Sequence, residues 1–152
     1  MTRILVGFTL SAALVFAADT VRVWKASDLK AFDQSLSKKM TADKIGTEAF
    51  GKIGTHTTAQ ISHREGDGIA ELHETKDDLF VVETGEATLE VGGTVASPKK
   101  TEEHEIRGPS INGAEKKKLA AGDIVYIPAG TPHRLFVDKS KPFTYFVIKV
   151  AK

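Results

Sequence analysis

The feature that most constrains the fold of this chain is a change in hydrophobic period at about residue 57. From there to residue 150, apolar and polar residues alternate in short runs that turn-forming residues separate. Alternate side chains of a strand face opposite sides of a sheet, so each run can bury one face. About seven such strands are typical of an all-β sandwich or barrel. The predicted strands cover residues 57–64, 69–73, 79–83, 87–91, 124–127, 133–137 and 143–150.

Composition excludes several classes of function. The chain has 152 residues, of which 41% are hydrophobic, and this length and apolar content predict one globular domain. Its 21 Lys and Arg residues nearly balance 20 Asp and Glu residues, so no basic face is indicated for nucleic-acid binding. Because the chain has no Cys, thiolate catalysis, disulfides and Cys-based metal sites are excluded. A metal site would have to use His, Asp and Glu.

Residues 1–17 are typical of a secretory signal peptide. Arg3 precedes an apolar run over residues 4–16, and small residues surround the expected cleavage position after Ala17. The run is shorter than the roughly 20 apolar residues that a membrane-spanning helix needs. A buried N-terminal strand or core helix is the alternative interpretation. We expect the mature protein to be exported, to the periplasm or outside the cell, and to have no membrane attachment.

Residues 18–54 predict a short N-terminal strand, one helix and a linker. Residues 20–24 alternate as a strand does, and Ser27 is a candidate N-cap that places Asp28 at the positive end of a helix. Apolar residues at spacings of three and four predict roughly three amphipathic turns. These residues are Leu29, Phe32, Leu36 and Met40. The linker after the helix contains Gly46, Gly51 and Gly54.

A polar segment at residues 94–116 separates the two halves of the predicted barrel. It contains Pro98 and Pro109 and ends in lysines, and it is long for a hairpin connection. We interpret it as an insertion that is either a lid or a mobile loop. Within it, Arg107 is the candidate for covering the mouth of the barrel and meeting an anionic substrate.

Polar side chains stand on strand faces that also carry large apolar residues. Glu71 shares a face with Ile69 and His73, and Asp78 shares one with Phe80. If these faces are interior, the carboxylates are costly to bury unless they are paired or bound to a cation. The alternatives are a surface ion pair for Glu71, a solvated turn for Asp78 and a hydrogen-bonded core position for His73.

The segment from residue 122 to residue 137 carries a spaced motif. Gly122, Pro128, Gly130 and His133 fit the pattern G-x5-P-x-G-x2-H, in which Pro and Gly give a turn between two strands. This pattern resembles the second motif of the cupins, which are small antiparallel barrels of the jelly-roll type. Val137 stands where that motif ends in Asn.

The segment from residue 71 to residue 85 is similar to the first cupin motif, G-x5-H-x-H-x3,4-E-x6-G. His73 and Gly85 keep their spacing, while Glu71 stands at the first His and Asp78 at the Glu. The leading Gly is displaced by one position. The resemblance implies an all-β fold, a cupin-type antiparallel β-barrel (jelly roll) over residues 55–152, with one short N-terminal helix.

The resemblance also implies a divalent metal ion inside the barrel, and iron, manganese or zinc suits imidazole and carboxylate ligands. The ligand candidates that it implies are Glu71, His73, Asp78 and His133. Asp78 is one methylene shorter than Glu, so it can instead orient a histidine beside the metal. Glu71 or Asp78, whichever does not coordinate, would act as the catalytic base. Oxygenase, isomerase and decarboxylase activities on a small molecule lie within the family's range.

Three further residues are candidates for a substrate pocket inside such a barrel. They are His63, which shares a strand face with Ile61 and Ala59, together with Phe80 and Arg107. A metal-free periplasmic barrel that binds a small ligand without catalysis is the second hypothesis. A structural module with a closed hydrogen-bond network is the third. Because cupins often pair through sheet edges, a homodimer that uses residues 20–24 is also expected.

Overall fold

The computed structural model describes residues 21–152, which form one α-helix and thirteen strands. The predicted signal peptide at residues 1–17 lies outside the described residues. The helix is α1 (Ala26–Leu36), and the first seven strands are β1 (Ile45–Lys52), β2 (Thr57–Arg64), β3 (Ala70–His73), β4 (Lys76–Thr84), β5 (Glu86–Val91), β6 (Thr94–Val95) and β7 (Lys99–Glu102). The others are β8 (Glu105–Gly108), β9 (Ile111–Asn112), β10 (Glu115–Ala120), β11 (Ile124–Ile127), β12 (His133–Phe136) and β13 (Phe143–Ala151).

Two antiparallel sheets pack face to face. One has the strand order β1-β2-β13-β4-β11, the other has the order β10-β5-β12-β3-β8-β7, and β6 pairs with β9 beside them. Inward side chains of both sheets form the main core, as the alternation of apolar residues predicts. Its members include Phe80, Leu89, Leu135, Tyr145 and Val147. The predicted all-β fold with one helix is confirmed.

The segment at residues 94–116 is part of the barrel wall, so its interpretation as a lid or mobile loop is wrong. Strand β8 pairs with β3 along its whole length, and β7 adds to the outer edge of β8. The inward residues Glu105 and Arg107 line a polar cavity, while Ile106 packs outward against a small apolar cluster with Ala70. Because the polar residues of β8 face inward, its pattern resembles that of a solvated loop.

The N-terminal segment differs from the prediction in two respects. Residues 21–25 form no strand, and Trp24 instead packs against Phe50 and Phe146 at ring-centroid distances of 5.2 and 5.0 Å. The N-cap of α1 is Lys25 and not Ser27, because the Asp28 carboxylate accepts a hydrogen bond from the Lys25 backbone N–H at 3.0 Å. No helix in the described part of the chain is long and apolar enough to cross a membrane.

The predicted linker contains strand β1, which pairs with β2 along the edge of the five-stranded sheet. Two of its glycines allow backbone geometry that β1 requires. A Cβ at Gly46 would lie 2.6 Å from the Leu36 carbonyl oxygen, so glycine lets the strand pass close to the end of α1. Gly51 has a φ of 69° beside a shift in the β1–β2 register, which is a conformation that glycine adopts freely.

Helix α1 covers the outer face of the five-stranded sheet. Leu36 is 1% exposed and packs there with Ile61 and Phe146, and Leu29 and Phe32 lie at the margin of the same cluster. The predicted apolar stripe therefore faces the sheet as far as Leu36, where the helix ends. Strand β2 is consequently covered on both faces, by the helix on one side and by the barrel interior on the other.

We expect Leu36→Ala to lower the free energy of unfolding by about 2–5 kcal/mol, because the side chain is fully buried at the helix–sheet contact. Leu29→Ala on the same helix is the matched control, since Leu29 is only partly buried. Urea denaturation of both variants measures the difference. An equal or larger loss for Leu29→Ala would contradict this account of how α1 is held.

Candidate metal centre

A polar cavity of about 480 Å³ opens between the two sheets at one end of the barrel. Its lining combines five basic with four acidic side chains and two histidines, a composition that differs sharply from the apolar core below it. The basic residues are Arg64, Lys76, Arg107, Arg134 and Lys149. The others are Glu71, Asp78, Glu102, Glu105, His73 and His133.

The strand register of the six-stranded sheet places functional side chains directly opposite one another. Across three neighbouring strands, Glu71 on β3 stands between His133 on β12 and Arg107 on β8. Two residues further along β3, His73 stands opposite Glu105 on β8. Because directly opposed side chains in an antiparallel pair are close, this register brings the imidazoles and carboxylates together.

The turn that follows Pro128 fixes where β12 begins. The Ala129 backbone N–H donates to the Asp77 carboxylate at 2.7 Å, and the Gly130 N–H donates to the His73 carbonyl at 2.7 Å. Gly130 has a φ of 77°, which explains the glycine at this point of the motif. The motif therefore attaches the start of β12, where His133 lies, to the end of β3, where His73 lies.

Three side chains can each direct one ligand atom to a common point. Ligand atoms of Glu71, His73 and His133 all lie within 4.8 Å of one another. Nδ1 of His73 lies 2.5 Å from a Glu105 oxygen, and Nδ1 of His133 lies 3.1 Å from the Thr131 carbonyl oxygen. Both partners are acceptors, so Nδ1 carries the proton in each ring and Nε2 presents its lone pair to the cavity.

Lys149 reaches the same point from the five-stranded sheet, where it stands opposite Asp78. Its Nζ lies 2.8 Å from Nε2 of His73 and 2.8 and 2.9 Å from the two Asp78 oxygens. An ammonium group donates hydrogen bonds and has no lone pair, so Nε2 of His73 must be the acceptor. This contact independently places the His73 proton on Nδ1, toward Glu105.

The donor set fits a small divalent cation. Ligand atoms around a tetrahedral ion with bonds of 2.0–2.2 Å lie roughly 3.4 Å apart. Nε2 of His73 lies 3.8 Å from a Glu71 oxygen and 3.2 Å from an Asp78 oxygen, and Nε2 of His133 lies 3.7 Å from that same Asp78 oxygen. Two neutral imidazoles and a carboxylate suit iron, manganese or zinc.

Burial and charge determine the protonation of the site. Burial acts to raise the pKa of Asp78, but the charge of Lys149 and its two hydrogen bonds outweigh it and lower that pKa to about 2. Burial lowers the pKa of His133 below its ordinary value, although Glu71 partly opposes this effect. At neutral pH the site therefore contains an ionised Asp78 and a neutral His133.

The structure brings together all four residues that the sequence indicates as ligand candidates. Glu71, His73, Asp78 and His133 converge, with Asp78 2% exposed and in contact with both histidines. Of the predicted pocket residues, Phe80 and Arg107 line the cavity. Arg107 does so as part of the wall, where its NH2 lies 3.7 Å from a Glu71 oxygen.

His63 lies on the other side of the sheet and does not line this cavity, contrary to the prediction. Its Nδ1 is 2.9 Å from an Asp33 oxygen on α1 and 2.8 Å from the Thr144 hydroxyl. On β2, His63 faces the helix together with Ile61, while Gln60 and Arg64 face the cavity. The prediction took the Ile61 face as the interior, but that face is buried under α1.

Sequence reasoning missed several polar residues of the site, among them Arg64, Glu105 and Lys149. Arg64 donates through Nε to the Tyr145 hydroxyl at 3.1 Å, which directs its guanidinium along the cavity wall. Glu105 was hidden in the segment interpreted as an insertion. Lys149 carried a usable signal, since it shares the inward face of β13 with Tyr145 and Val147 and is the charged member of that face.

Comparison with known proteins identifies the fold. No protein-family model and no curated protein matches the sequence. An uncharacterized conserved protein with a double-stranded β-helix domain from Klebsiella pneumoniae is similar in structure, with a TM-score of 0.56 and 15% identity over 87% of this chain and 91% of the other. Recombinant oxalate oxidase in complex with glycolate gives a TM-score of 0.53 and 14% identity over 90% of this chain and 59% of the other.

The Schizosaccharomyces pombe Cnp3 cupin domain gives a TM-score of 0.54 and 7% identity over 72% of this chain and 66% of the other. The chain thus spans less than two thirds of the length of both the oxalate oxidase and the yeast domain. These similarities establish a cupin, or double-stranded β-helix, fold for this chain. The predicted resemblance to the cupin superfamily is confirmed at the level of the fold.

We expect Asp78→Asn to alter how stability depends on pH. The folded-state pKa of Asp78 is about 2, below its ordinary 3.8, so the ionised group stabilises the fold above pH 4 and this contribution is lost as the pH falls toward 2. The difference in unfolding free energy between wild type and variant should shrink by about 2 kcal/mol between about pH 6 and pH 2. Urea denaturation across that range measures it, and a constant difference would contradict the assignment.

Proposed function

We propose that this protein binds a divalent metal ion inside its barrel and binds or transforms a small organic acid there. Glu71, His73 and His133 would hold the ion, and Asp78 lies close enough to complete the set. The observation that carries the proposal is the shared orientation of the two buried imidazoles. Each has its Nδ1 held by an acceptor, while Nε2 of His73 lies near Glu71 and Asp78 and Nε2 of His133 lies near Asp78.

A bound divalent ion would supply Lewis-acid polarisation of an oxygen atom of the substrate. The residues around it have separate tasks. Glu105 holds the orientation and basicity of His73, since a carboxylate on the far nitrogen of a ligating imidazole does both. Glu71 or Asp78, whichever does not coordinate, is positioned to accept a proton from the substrate.

The charge of the cavity favours an anionic ligand. Five basic side chains line it against four acidic ones, so a divalent cation would make the net charge clearly positive. NH1 of Arg107 is engaged by a Glu105 oxygen at 3.1 Å and by the Ile106 carbonyl oxygen at 3.2 Å. Its NH2 group lies 3.7 Å from Glu71, which is too long for a hydrogen bond, so NH2 can donate to a carboxylate ligand. The similar oxalate oxidase structure contains glycolate, a small hydroxy acid, which is consistent with this substrate class.

The first test of the proposal is Glu71→Gln. We expect at least a tenfold weaker affinity for Zn²⁺ or Mn²⁺, because the amide keeps the shape of the side chain and removes its charge. Glu83→Gln is the matched control, since Glu83 is equally half-buried on β4 but lies outside the cavity lining. Isothermal titration calorimetry of protein purified without a His-tag gives both affinities. Equal affinities for wild type and Glu71→Gln would remove Glu71 from the ligand set.

Arg107→Gln tests whether the cavity binds an anionic ligand through Arg107. We expect it to weaken binding of oxalate or glycolate to the metal-loaded protein by about tenfold, the effect of losing one charge-assisted hydrogen bond. Arg134→Gln is the control, because two nitrogens of its guanidinium, Nε and NH1, donate to the carbonyl oxygens of Gly68 and Pro109 at 2.8 and 3.0 Å. In Arg107 only NH1 is engaged in this way. A loss of binding in the control but not in Arg107→Gln would place the anion elsewhere.

A metal-free ligand-binding barrel is a second candidate, and Lys149 is the observation that favours it. The ammonium group satisfies the Nε2 lone pair of His73 and the charge of Asp78 without any metal. Elemental analysis separates the two candidates. If the protein as isolated contains less than about a tenth of an equivalent of transition metal and takes up none, the metal centre is overturned and the hypotheses without a metal stand.

Two further parts of the proposal rest on the sequence. We propose that residues 1–17 direct export and are removed, which would place the barrel in the periplasm or outside the cell. The homodimer likewise stays a prediction. Its expected contact strand is not formed, because residues 21–25 are irregular and Trp24 packs on its own sheet.

A further inference from the structure

Lys149 lies closer to the candidate ligands than any other basic residue of the cavity. Its Nζ is 2.8 Å from Nε2 of His73, whereas the nearest approaches of Arg64 and Arg107 to Glu71 are 3.9 and 3.7 Å. Lys76 contacts Glu105, at 3.0 Å, on the far side of the His73 ring. Among the basic residues that line the described cavity, Lys149 is therefore the one placed on a ligand nitrogen.

The contact between Lys149 and His73 excludes a metal ion at the same nitrogen. Nε2 of a neutral imidazole has one lone pair in the plane of the ring, which can accept one hydrogen bond or form one coordinate bond. In this structure the lone pair is directed at the Lys149 ammonium. A metal ion can bind His73 through Nε2 only after Nζ has moved away.

The buried carboxylate of Asp78 needs a positive charge beside it both before and after a metal ion replaces Lys149. The Asp78 side chain is 2% exposed, and a carboxylate at that depth needs a cation beside it. Lys149 supplies one positive charge, and both Asp78 oxygens accept from it at 2.8 and 2.9 Å. An incoming divalent ion would replace that charge at the same carboxylate, so Asp78 keeps a counterion in either state.

We propose that Lys149 is the resident cation of this centre, and that a metal ion binds by displacing the Lys149 ammonium from His73 and Asp78. The inference rests on the proposed metal function and adds its regulation. Lys149 sets the metal affinity, because every binding event must break the ammonium contacts. The lysine stem is flexible and the side chain is already 20% exposed, so Nζ can move into the cavity.

Displacement also creates a site for the proposed organic acid. An ammonium group that leaves Asp78 remains in a cavity that Arg107 and Arg64 also line, and it then has donors free for a carboxylate. Binding of the metal and binding of the anion would thus favour each other. The anion would have little use for Lys149 while Asp78 holds it.

Lys149→Met tests the inference, because methionine keeps an unbranched stem and removes the ammonium. We expect Zn²⁺ to bind at least tenfold more tightly to this variant than to wild type. Arg134→Gln is the matched control. It removes an equal charge from the same cavity, but Arg134 donates to the carbonyl oxygens of Gly68 and Pro109 and contacts neither His73 nor Glu105, so the affinity of this variant should change less than about threefold. Calorimetry and competition with a chromophoric chelator both give the affinities.

Each outcome separates this inference from the proposed function. If wild type binds Zn²⁺ and Lys149→Met binds no more tightly, the inference is overturned while the metal function stands. If Lys149→Met binds and wild type does not, Lys149 blocks the centre permanently, so displacement in wild type and the proposed metal function are both overturned. If neither protein binds, both fail. If Arg134→Gln matches Lys149→Met, the effect is one of general charge and the inference is overturned.

A measurement on wild type covers the case in which Lys149→Met does not fold. Nuclear magnetic resonance can follow the His73 Nε2 and Lys149 Cε signals during one titration with Zn²⁺. We expect both signals to change at the same stoichiometry, with Lys149 acquiring the shifts of a solvated lysine. A change at His73 while Lys149 stays fixed would overturn the displacement, and no change at either would overturn the metal centre with it.

Discussion

The buried carboxylate of Asp78 is the constraint on which the arrangement of the cavity depends. At 2% exposure it needs a cation, and Lys149 on the facing position of the next strand supplies it. The ammonium then occupies Nε2 of His73, which requires the His73 proton to lie on Nδ1 toward Glu105. One buried charge thus determines which atoms donate and which accept in a series of hydrogen bonds. The series runs from Asp78 through Lys149 and His73 to Glu105, from one sheet to the other.

The convergence of the ligand candidates could be predicted from sequence, whereas several of their partners could not. The two-residue period indicated which residues share a strand face. The resemblance of the two spaced motifs to those of the cupins then implied that Glu71, His73, Asp78 and His133 converge. Glu105 was not predicted because the polar residues of β8 face the interior, so the sequence pattern of this strand resembles that of a loop. The two-residue period could have predicted the position of Lys149, since it follows Tyr145 and Val147 on the inward face of β13.

The errors on the helical side of the barrel have a different physical origin. Strand β2 is buried on both faces, so its apolar residues do not reveal which side is the interior, and His63 was assigned to the wrong side. The glycines of β1 were taken as signs of a linker. Gly46 in fact allows close passage by Leu36, and Gly51 allows an irregularity in the pairing. Such uses of glycine depend on neighbours that are distant in sequence.

The backbone bond from Gly130 to the His73 carbonyl has a consequence for how the centre would discriminate between ions. That bond joins the turn before β12 to the end of β3, and His133 pairs with Glu71 on β3, so the gap between the rings is set by main-chain geometry. A change in ionic radius cannot be absorbed by moving either ring far. Adjustment falls instead to Glu71, whose carboxylate is a quarter exposed and lies 3.7 Å or more from its arginine neighbours. Selection by ion size would therefore be decided by the reach of one glutamate.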